Sequence, residues 1–163
     1  MNHWLFKTEP ETFSVDDLAR ARGATTAWDG VRNYQVRNMI RDQMRVGDRG
    51  LLYHSSCDVP GIYGIVRVVR AAYAEHAALD PRHRYYDPDS DPANPRWYSV
   101  DVKLERRIEP PITLETLRKH AQGALKDMLI LRRGNRLSVT PVTAEEWRFI
   151  LSIARASAGN RSA

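Results

Sequence analysis

Residues 4–10 are Trp4-Leu5-Phe6-Lys7-Thr8-Glu9-Pro10, an apolar run that ends in charged and hydroxyl side chains and a proline. The apolar part predicts a first β-strand over residues 3–7, and the polar end predicts the turn that follows it. An aromatic ring beside charged and amide groups at a strand end suits a flat ligand with a polar edge. Nucleobases have that shape.

Two later segments combine the same groups. They are Trp28-Asp29-Gly30-Val31-Arg32-Asn33 and Tyr53-His54-Ser55. Because Asp29-Gly30 is a turn dipeptide and Asn33 stands at a predicted helix start, the ring of Trp28 is expected near exposed amide groups and not in the interior. Trp4 and Trp97 are open to either interpretation, as core aromatics or as part of a site.

The composition indicates one soluble globular domain. The chain has 163 residues, 42% of them apolar and 28% charged, and folding at this size buries about two-thirds of the unfolded surface. Its formal net charge of +5 favours a polyanionic partner. The single Cys57 cannot form an internal disulfide, and neither a leader peptide nor an apolar run of membrane-spanning length is evident. We therefore expect a cytoplasmic protein without a membrane role.

Helix starts are marked by capping residues. Ser14 with Asp17 predicts a helix over 15–21, Asn33 predicts a second, and Thr143 with Glu146 predicts a closing helix. The second helix has an apolar stripe of Val36, Ile40 and Met44, and next to it a basic ridge of Arg37, Arg41 and Arg45. That ridge is either a phosphate-binding surface or an ordinary solvated face.

The strands are predicted from runs of apolar residues and from the alternation of apolar with polar residues. Further strands are predicted over 25–28, 49–55, 62–72, 97–108 and 137–142, and further helices over 113–120 and 124–131. Pro110-Pro111 is expected to stop the strand before it. Residues 73–96 are predicted to form a long loop that could act as a lid. The domain is predicted to cover residues 1–154, and residues 155–163 to form a flexible tail. These elements predict an α+β fold: a curled mixed or antiparallel sheet of five or six strands, flanked by helices.

The sequence offers little for metal, cofactor or nucleophile chemistry. The histidines are scattered and there is one cysteine, so no metal is predicted. Cys57 and His54 stand three apart in an extended segment, which puts their side chains on opposite faces and disfavours a thiol hydrolase. The segment Gly61-Ile62-Tyr63-Gly64 lacks the spacing of a phosphate-binding loop, and we predict no cofactor.

A family resemblance is carried by several of these motifs together. In order they are Trp4 to Pro10, Trp28 to Asn38, Gly47-Asp48, Tyr53-His54-Ser55, Gly61 to Gly64, Tyr86-Asp87, Pro95-Arg96-Trp97 and Arg136 to Val139. Over residues 2–153 the chain resembles the EVE domain family. The resemblance implies a PUA-like pseudo-barrel, related to the YTH domains that read methylated adenine in RNA. It also implies a pocket for a modified nucleobase such as methylated or hydroxymethylated cytosine in DNA or RNA.

Carried onto this chain, the resemblance implies a set of base-binding residues: Lys7, Glu9, Trp28, Val31, Asn33, Tyr53, His54 and Ser55, with Tyr86, Asp87 and Trp97 at the mouth. Trp28 would stack on the base, and Tyr53 or His54 would form the opposite wall. Asn33 and Ser55 would read the polar edge and Val31 would contact an added methyl group. Arg32, Arg37 and Arg41 would hold phosphates outside the pocket.

Three hypotheses of function remain open at this stage. The first is a non-enzymatic reader of modified bases in nucleic acid. The second is an enzyme acting on nucleic acid or nucleosides, with His54 as general acid or base assisted by Glu9 or Asp87. The third is a small-molecule sensor or protein-interaction module that uses the same pocket. The oligomeric state is not predicted.

Overall fold

A computed structural model describes the backbone of residues 1–162 and the side chains of residues 1–159. Six strands form one sheet: β1 (His3–Thr8), β2 (Thr25–Ala27), β3 (Arg49–His54), β4 (Gly61–Ala74), β5 (Tyr98–Thr113) and β6 (Val139–Val142). Their order is β2-β5-β4-β3-β1-β6, in which β1 and β3 are parallel and the other neighbours antiparallel. The sheet is mixed and open, with β2 and β6 at its edges.

Helices flank this sheet. Within residues 1–162 they are α1 (Val15–Arg20), α2 (Tyr34–Asp42), α3 (His76–Leu79), α4 (Leu114–Arg118) and α5 (Ala144–Ser162), with short 3₁₀ turns at Arg22–Ala24 and Leu129–Leu131. The predicted α+β class, with a mixed sheet of five or six strands flanked by helices, is confirmed. None of these helices combines the length and the apolar character that a membrane crossing requires.

The predicted helix starts are confirmed by their hydrogen bonds. Ser14 Oγ accepts from the N–H of Asp17, whose carboxylate accepts from the N–H of Ser14 in return. The same reciprocal pair joins Thr143 and Glu146 at α5. Asn33 Oδ1 accepts from a backbone N–H of α2 at 3.0 Å. Each side chain satisfies backbone donors that the first turn leaves unpaired.

Strand β5 differs from the prediction, because it continues through Pro110-Pro111 to Thr113. Its pairing with β4 shifts between Ile62 and Gly64, which face Ile112 and Arg107 respectively. Residues 108–111 therefore lie in a bulge, and a bulge tolerates prolines because it leaves out ladder hydrogen bonds.

The C-terminal third also differs from the prediction. The helix expected over 124–131 is reduced to a 3₁₀ turn, since most of the backbone hydrogen bonds within residues 118–132 join an N–H to the carbonyl three residues before it. Helix α5 passes the predicted end at residue 154 and runs to Ser162. The flexibility predicted for 155–163 stays a prediction, and residue 163 lies outside the described residues.

Two hydrophobic clusters lie on the two faces of the sheet. Trp4 and Phe6 of β1 pack in one cluster, together with the buried stripe of α2. Leu5 packs in the other, beneath the apolar face of α5 that carries Trp147. This division follows from the alternation of side chains along a strand. Consecutive residues of one strand therefore face different sides of the protein.

Candidate functional site

An open cleft lies where β1 and β2 end and where the long loop after β4 returns to the sheet. We call it the indole cleft, and its volume is about 240 Å³. It is lined by Thr8, Thr12, Phe13, Thr26, Ala27, Trp28, Asp29, His83, Arg84 and Tyr85. This volume is below the range of about 300–1,000 Å³ that holds drug-sized ligands. The cleft therefore suits a small group such as a single heterocycle.

Trp28 forms the floor of the indole cleft from within the core. Its side chain is only 8% exposed, and its backbone N–H donates to Val100 O at 2.8 Å. Its ring packs edge-on against Phe6, with centroids 5.1 Å apart. The expectation of a ring outside the interior is wrong, because β2 continues its pairing with β5 up to this residue. The cleft beside the ring is nonetheless open.

Most of the predicted base-contact residues lie outside the indole cleft, and only Trp28 of that set lines it. Val31 is buried in the core, and the amide of Asn33 is used to cap α2. Ser55 donates its N–H to the carbonyl of Thr8, at the edge of the cleft. Lys7, Glu9 and Tyr86 also lie outside the lining, and Glu9 and Tyr86 are exposed.

Tyr53 and His54 do not form the wall opposite Trp28. Tyr53 belongs to the cluster on the other face of the sheet, where burial raises the pKa of its phenol to about 12. His54 lines a separate cleft of about 500 Å³ with Cys57 and Tyr63. The predicted single pocket between Trp28 and these two residues is therefore corrected to two separate clefts.

The surroundings of His54 do not assemble the predicted acid–base site. Its Nε2 accepts from the N–H of Val15 at 3.1 Å, its ring stacks on Tyr63 at 4.0 Å, and burial lowers its pKa. Neither Glu9 nor Asp87 lines its cleft. Nε2, the nitrogen that would accept a proton from a substrate, is therefore already a hydrogen-bond acceptor for Val15.

A buried carboxylate joins the long loop to the segment after β2. The side chain of Glu75 is fully buried, and its two oxygens accept from Gly30 N at 2.5 Å and from Arg32 Nη2 at 2.6 Å. The same Nη2 donates to the carbonyl of Tyr85 at 2.5 Å. We call this set of contacts the Glu75 clamp. Because the guanidinium of Arg32 hydrogen-bonds within the protein, the geometry does not support the prediction that Arg32 binds phosphate.

Aromatic and cationic side chains extend the clamp along the loop. The guanidinium of Arg32 lies 5.0 Å from the ring of Trp97, which stacks on Tyr34 at the same centroid distance. The Trp97 indole N–H donates to Asp87 at 2.7 Å and holds the pKa of that carboxyl below its usual value. Trp97 and Asp87 therefore fix the loop in place and do not line the cleft.

The other two predicted phosphate ligands also have internal partners. Arg37 Nη1 donates to the carbonyl of Arg96 at 3.0 Å, and the Arg41 guanidinium pairs with Asp42 at 2.8 Å. Arg84 lines the indole cleft instead, with an exposed side chain lying 4.8 Å from the ring of Tyr85. The basic side chain at the cleft thus comes from the long loop and not from α2.

Sequence reasoning missed most of the lining. Thr12 and Phe13 follow the first strand in an ordinary turn, and His83 to Tyr85 lie in a loop without periodicity. The one sign of these lining residues in the sequence was the pair of adjacent aromatic residues Tyr85 and Tyr86. The conformation of the loop places the ring of Tyr85, and not that of Tyr86, in the cleft.

Gly30 is required at the cleft for two reasons. Its φ is +82°, and the ring of Tyr85 lies so close that an added Cβ would be 2.6 Å from Cζ. We expect Gly30→Ala to lower the free energy of unfolding by more than the roughly 1–2 kcal/mol of backbone strain, as measured by urea denaturation. Gly134→Ala is the matched control, because Gly134 has φ +79° and open space around it. Equal losses in the two variants would contradict the contact with Tyr85.

The open mixed sheet, its parallel β1–β3 pair, the flanking helices and the cleft at the strand ends define an α+β protein of the PUA-like class. The EVE domain model matches residues 2–153, and the chain belongs to the EVE domain family.

Relatives and solved structures agree with this membership. Thymocyte nuclear protein 1 of Danio rerio is 42% identical, with 93% of this chain and 71% of that protein aligned. The crystal structure of human THYN1 protein in complex with 5-methylcytosine containing DNA is 40% identical, with a TM-score of 0.89 over 94% of this chain and 98% of that one. A crystal structure of a Pseudomonas putida protein is 42% identical, with a TM-score of 0.87 over 93% and 99% of the two chains.

Proposed function

We propose that this protein binds a modified nucleobase, 5-methylcytosine in DNA, by accepting the base in the indole cleft. The observation that carries the proposal is a cleft of about 240 Å³ walled by the rings of Phe13, Trp28 and Tyr85, in a fold similar to that of human THYN1 protein. That protein was crystallised with 5-methylcytosine containing DNA. A flat heterocycle is the ligand that these rings and this volume suit.

The free-energy terms are compatible with this function. Extruding a base from a duplex costs a few kcal/mol, and stacking returns about 1–3 kcal/mol per base. The threonine hydroxyls at 8, 12 and 26 lie in the lining, and that of Thr8, which donates to the carbonyl of Phe13 at 2.8 Å, remains able to accept a hydrogen bond from the base edge. A buried methyl group adds only about 0.8 kcal/mol, or roughly a fourfold preference. Tight discrimination therefore requires close contact between the methyl group and the cleft wall.

Phosphate contacts complete the proposal. Arg84 is exposed at the cleft and is the side chain best placed to meet the backbone of an extruded nucleotide. Binding without turnover is the simplest activity for this site. The cytoplasmic location predicted from the sequence stays a prediction, and the name of the vertebrate relatives refers instead to the nucleus.

The adjacent tyrosines of the loop provide a matched test. Tyr85 lines the indole cleft, whereas Tyr86 is 41% exposed and lies outside it. We expect Tyr85→Ala to weaken binding of a 5-methylcytosine oligonucleotide by about tenfold, since one stacked ring contributes about 1–3 kcal/mol. Tyr86→Ala should leave it unchanged. Fluorescence anisotropy with methylated and unmethylated oligonucleotides, single- and double-stranded, measures both effects.

The outcomes separate the three hypotheses. Equal affinity of the unaltered protein for methylated and plain oligonucleotides would contradict base reading. Turnover of a modified nucleoside that is lost in His54→Ala would favour an enzyme. A small molecule retained from the producing cell and displaced from Tyr85→Ala would favour a sensor.

A further inference from the structure

A row of cationic side chains crosses three neighbouring strands of the sheet. Arg49 of β3 lies directly opposite Arg67 of β4, and Arg67 lies directly opposite Lys103 of β5. Residues in direct register project from the same face, with Cβ atoms about 4.5–5.5 Å apart. All three residues are exposed. We call these three residues the cation row.

The cation row and the indole cleft lie on different faces of the sheet. Arg49 stands two residues before Leu51, and Arg67 stands two residues after Ile65, so each projects from the same face as its neighbour. Leu51 and Ile65 belong to the cluster beneath α5, whereas Trp28 belongs to the opposite cluster. A ligand on the row and a base in the cleft are therefore separable by mutation.

The positive charge of the row is partly balanced by one neighbour. Arg49 Nε lies 3.3 Å from a carboxylate oxygen of Glu105. Among side chains 1–159, Arg67 and Lys103 have no carboxylate within 4 Å. Both line one small cavity of about 160 Å³, together with Leu104 and Glu105. Like charges placed opposite each other on a sheet destabilise it, so the two unpaired cations favour the binding of an anion.

The neighbouring strand adds no charge to the row. His3 of β1 lies opposite Arg49. Burial lowers the pKa of His3, and the N-terminus, Arg49 and Arg148 act in the same direction, against Asp48, which raises it. Because a lowered pKa favours the neutral imidazole at neutral pH, the positive charge of the row is carried by β3, β4 and β5.

We propose that the cation row is a second nucleic-acid contact, which binds the phosphodiester backbone without reading the bases. The row spans two strand spacings of about 4.8 Å each, or about 10 Å. Successive phosphates of one DNA strand are separated by about twice the axial rise of about 3.4 Å, because the strand also winds around the axis, so the row can contact about two of them. This inference takes nucleic acid as the partner from the proposed function, but it does not depend on the cleft.

The double variant Arg67→Gln/Lys103→Gln tests the row. We expect it to weaken binding of plain and methylated duplex equally. The slope of log affinity against log salt should fall by about 2, because each phosphate contact contributes about 0.9. The preference for the methylated duplex should not change. The melting temperature should equal or exceed that of the unaltered protein, since like-charge repulsion has been removed. Anisotropy titrations over a salt series and a thermal melt give these readouts.

Two matched variants control for net charge. Lys119→Gln/Lys126→Gln removes the same charge from exposed positions in the turns that follow α4, which line neither the indole cleft nor the cavity at the row. We expect a smaller change in the salt slope for this variant. Glu105→Gln removes the one carboxylate paired to the row and should tighten binding of both duplexes.

Two results would overturn this inference. One is an equal fall in slope in the two double variants. The other is unchanged DNA affinity in the row variant; if that variant also loses binding to phosphatidylserine vesicles, the row belongs to a lipid surface. A different result would contradict only the proposal for the cleft. In that result the unaltered protein shows no preference for methylated DNA, and the row variant nevertheless loses affinity.

Discussion

Replacing Glu75 with alanine should lower the free energy of unfolding by about 3 kcal/mol, at the low end of the cost of removing one partner from a buried ion pair. The variant leaves the N–H of Gly30 without its acceptor and the guanidinium of Arg32 without its counter-charge. The Arg32 side chain is 30% exposed, so water restores part of its solvation. For that reason we place the loss at the low end.

The same substitution should also weaken the cleft. Arg32 holds the carbonyl of Tyr85 with the nitrogen that pairs to Glu75, and the ring of Tyr85 lies over Gly30. When the carboxylate is removed, three contacts between the loop and the segment after β2 are weakened together. We therefore expect affinity for methylated oligonucleotides to fall at a temperature where the variant is still folded. Limited proteolysis within residues 80–97 should become faster.

Glu105→Ala is the matched control for Glu75→Ala. Its carboxylate also pairs with an arginine, but both side chains are partly exposed, and such surface pairs contribute about 0.2–1 kcal/mol. Urea denaturation of the two variants compares the losses directly. If the loss in Glu75→Ala were no larger than that in Glu105→Ala, the clamp would not be the element that holds the loop.

The parts of the fold that the sequence predicts are those set by neighbouring residues. Ser14 with Asp17 and Thr143 with Glu146 satisfy the first backbone donors of their own helices, so their effect does not depend on the rest of the chain. The alternation in β5 likewise predicts which side chains are buried. Pro110 is the exception, because whether a proline ends a strand depends on the register of the neighbouring strand.

The geometry of a strand already limited the predicted pocket. Tyr53 and His54 are consecutive in β3, and consecutive side chains project from opposite faces. At most one of them could therefore form the wall opposite Trp28, so the two could not both be base contacts in one pocket. The family motifs brought them into one list because motif residues lie close along the chain. Closeness along a strand does not put two side chains in the same cleft.

The long loop explains why the rest of the site was not predicted. Glu75 looks in the sequence like any charged residue at the start of a polar segment. Its burial follows from the return of the loop over Gly30, which no local pattern encodes. The choice of Tyr85 over Tyr86 as the cleft residue has the same origin. No local pattern shows that Arg32 pairs with Glu75 either, so the sequence predicted Arg32 to be available for phosphate.

Trp28→Ala should reduce stability as well as binding. The indole is 8% exposed and packs against Phe6, and truncating such a ring costs about 3–5 kcal/mol. The total stability of a domain is only about 5–15 kcal/mol. A binding loss in this variant alone would therefore not separate a missing cleft wall from a partly unfolded protein.

Trp147→Ala separates the two effects. Trp147 is 4% exposed and belongs to the cluster on the other face of the sheet, so its truncation removes a similar ring without touching the indole cleft. We expect both variants to lose stability in urea denaturation by comparable amounts. At a temperature where both are folded, only Trp28→Ala should lose the preference for 5-methylcytosine over cytosine. If the preference survived in Trp28→Ala, or fell equally in both variants, the base would not be bound against Trp28.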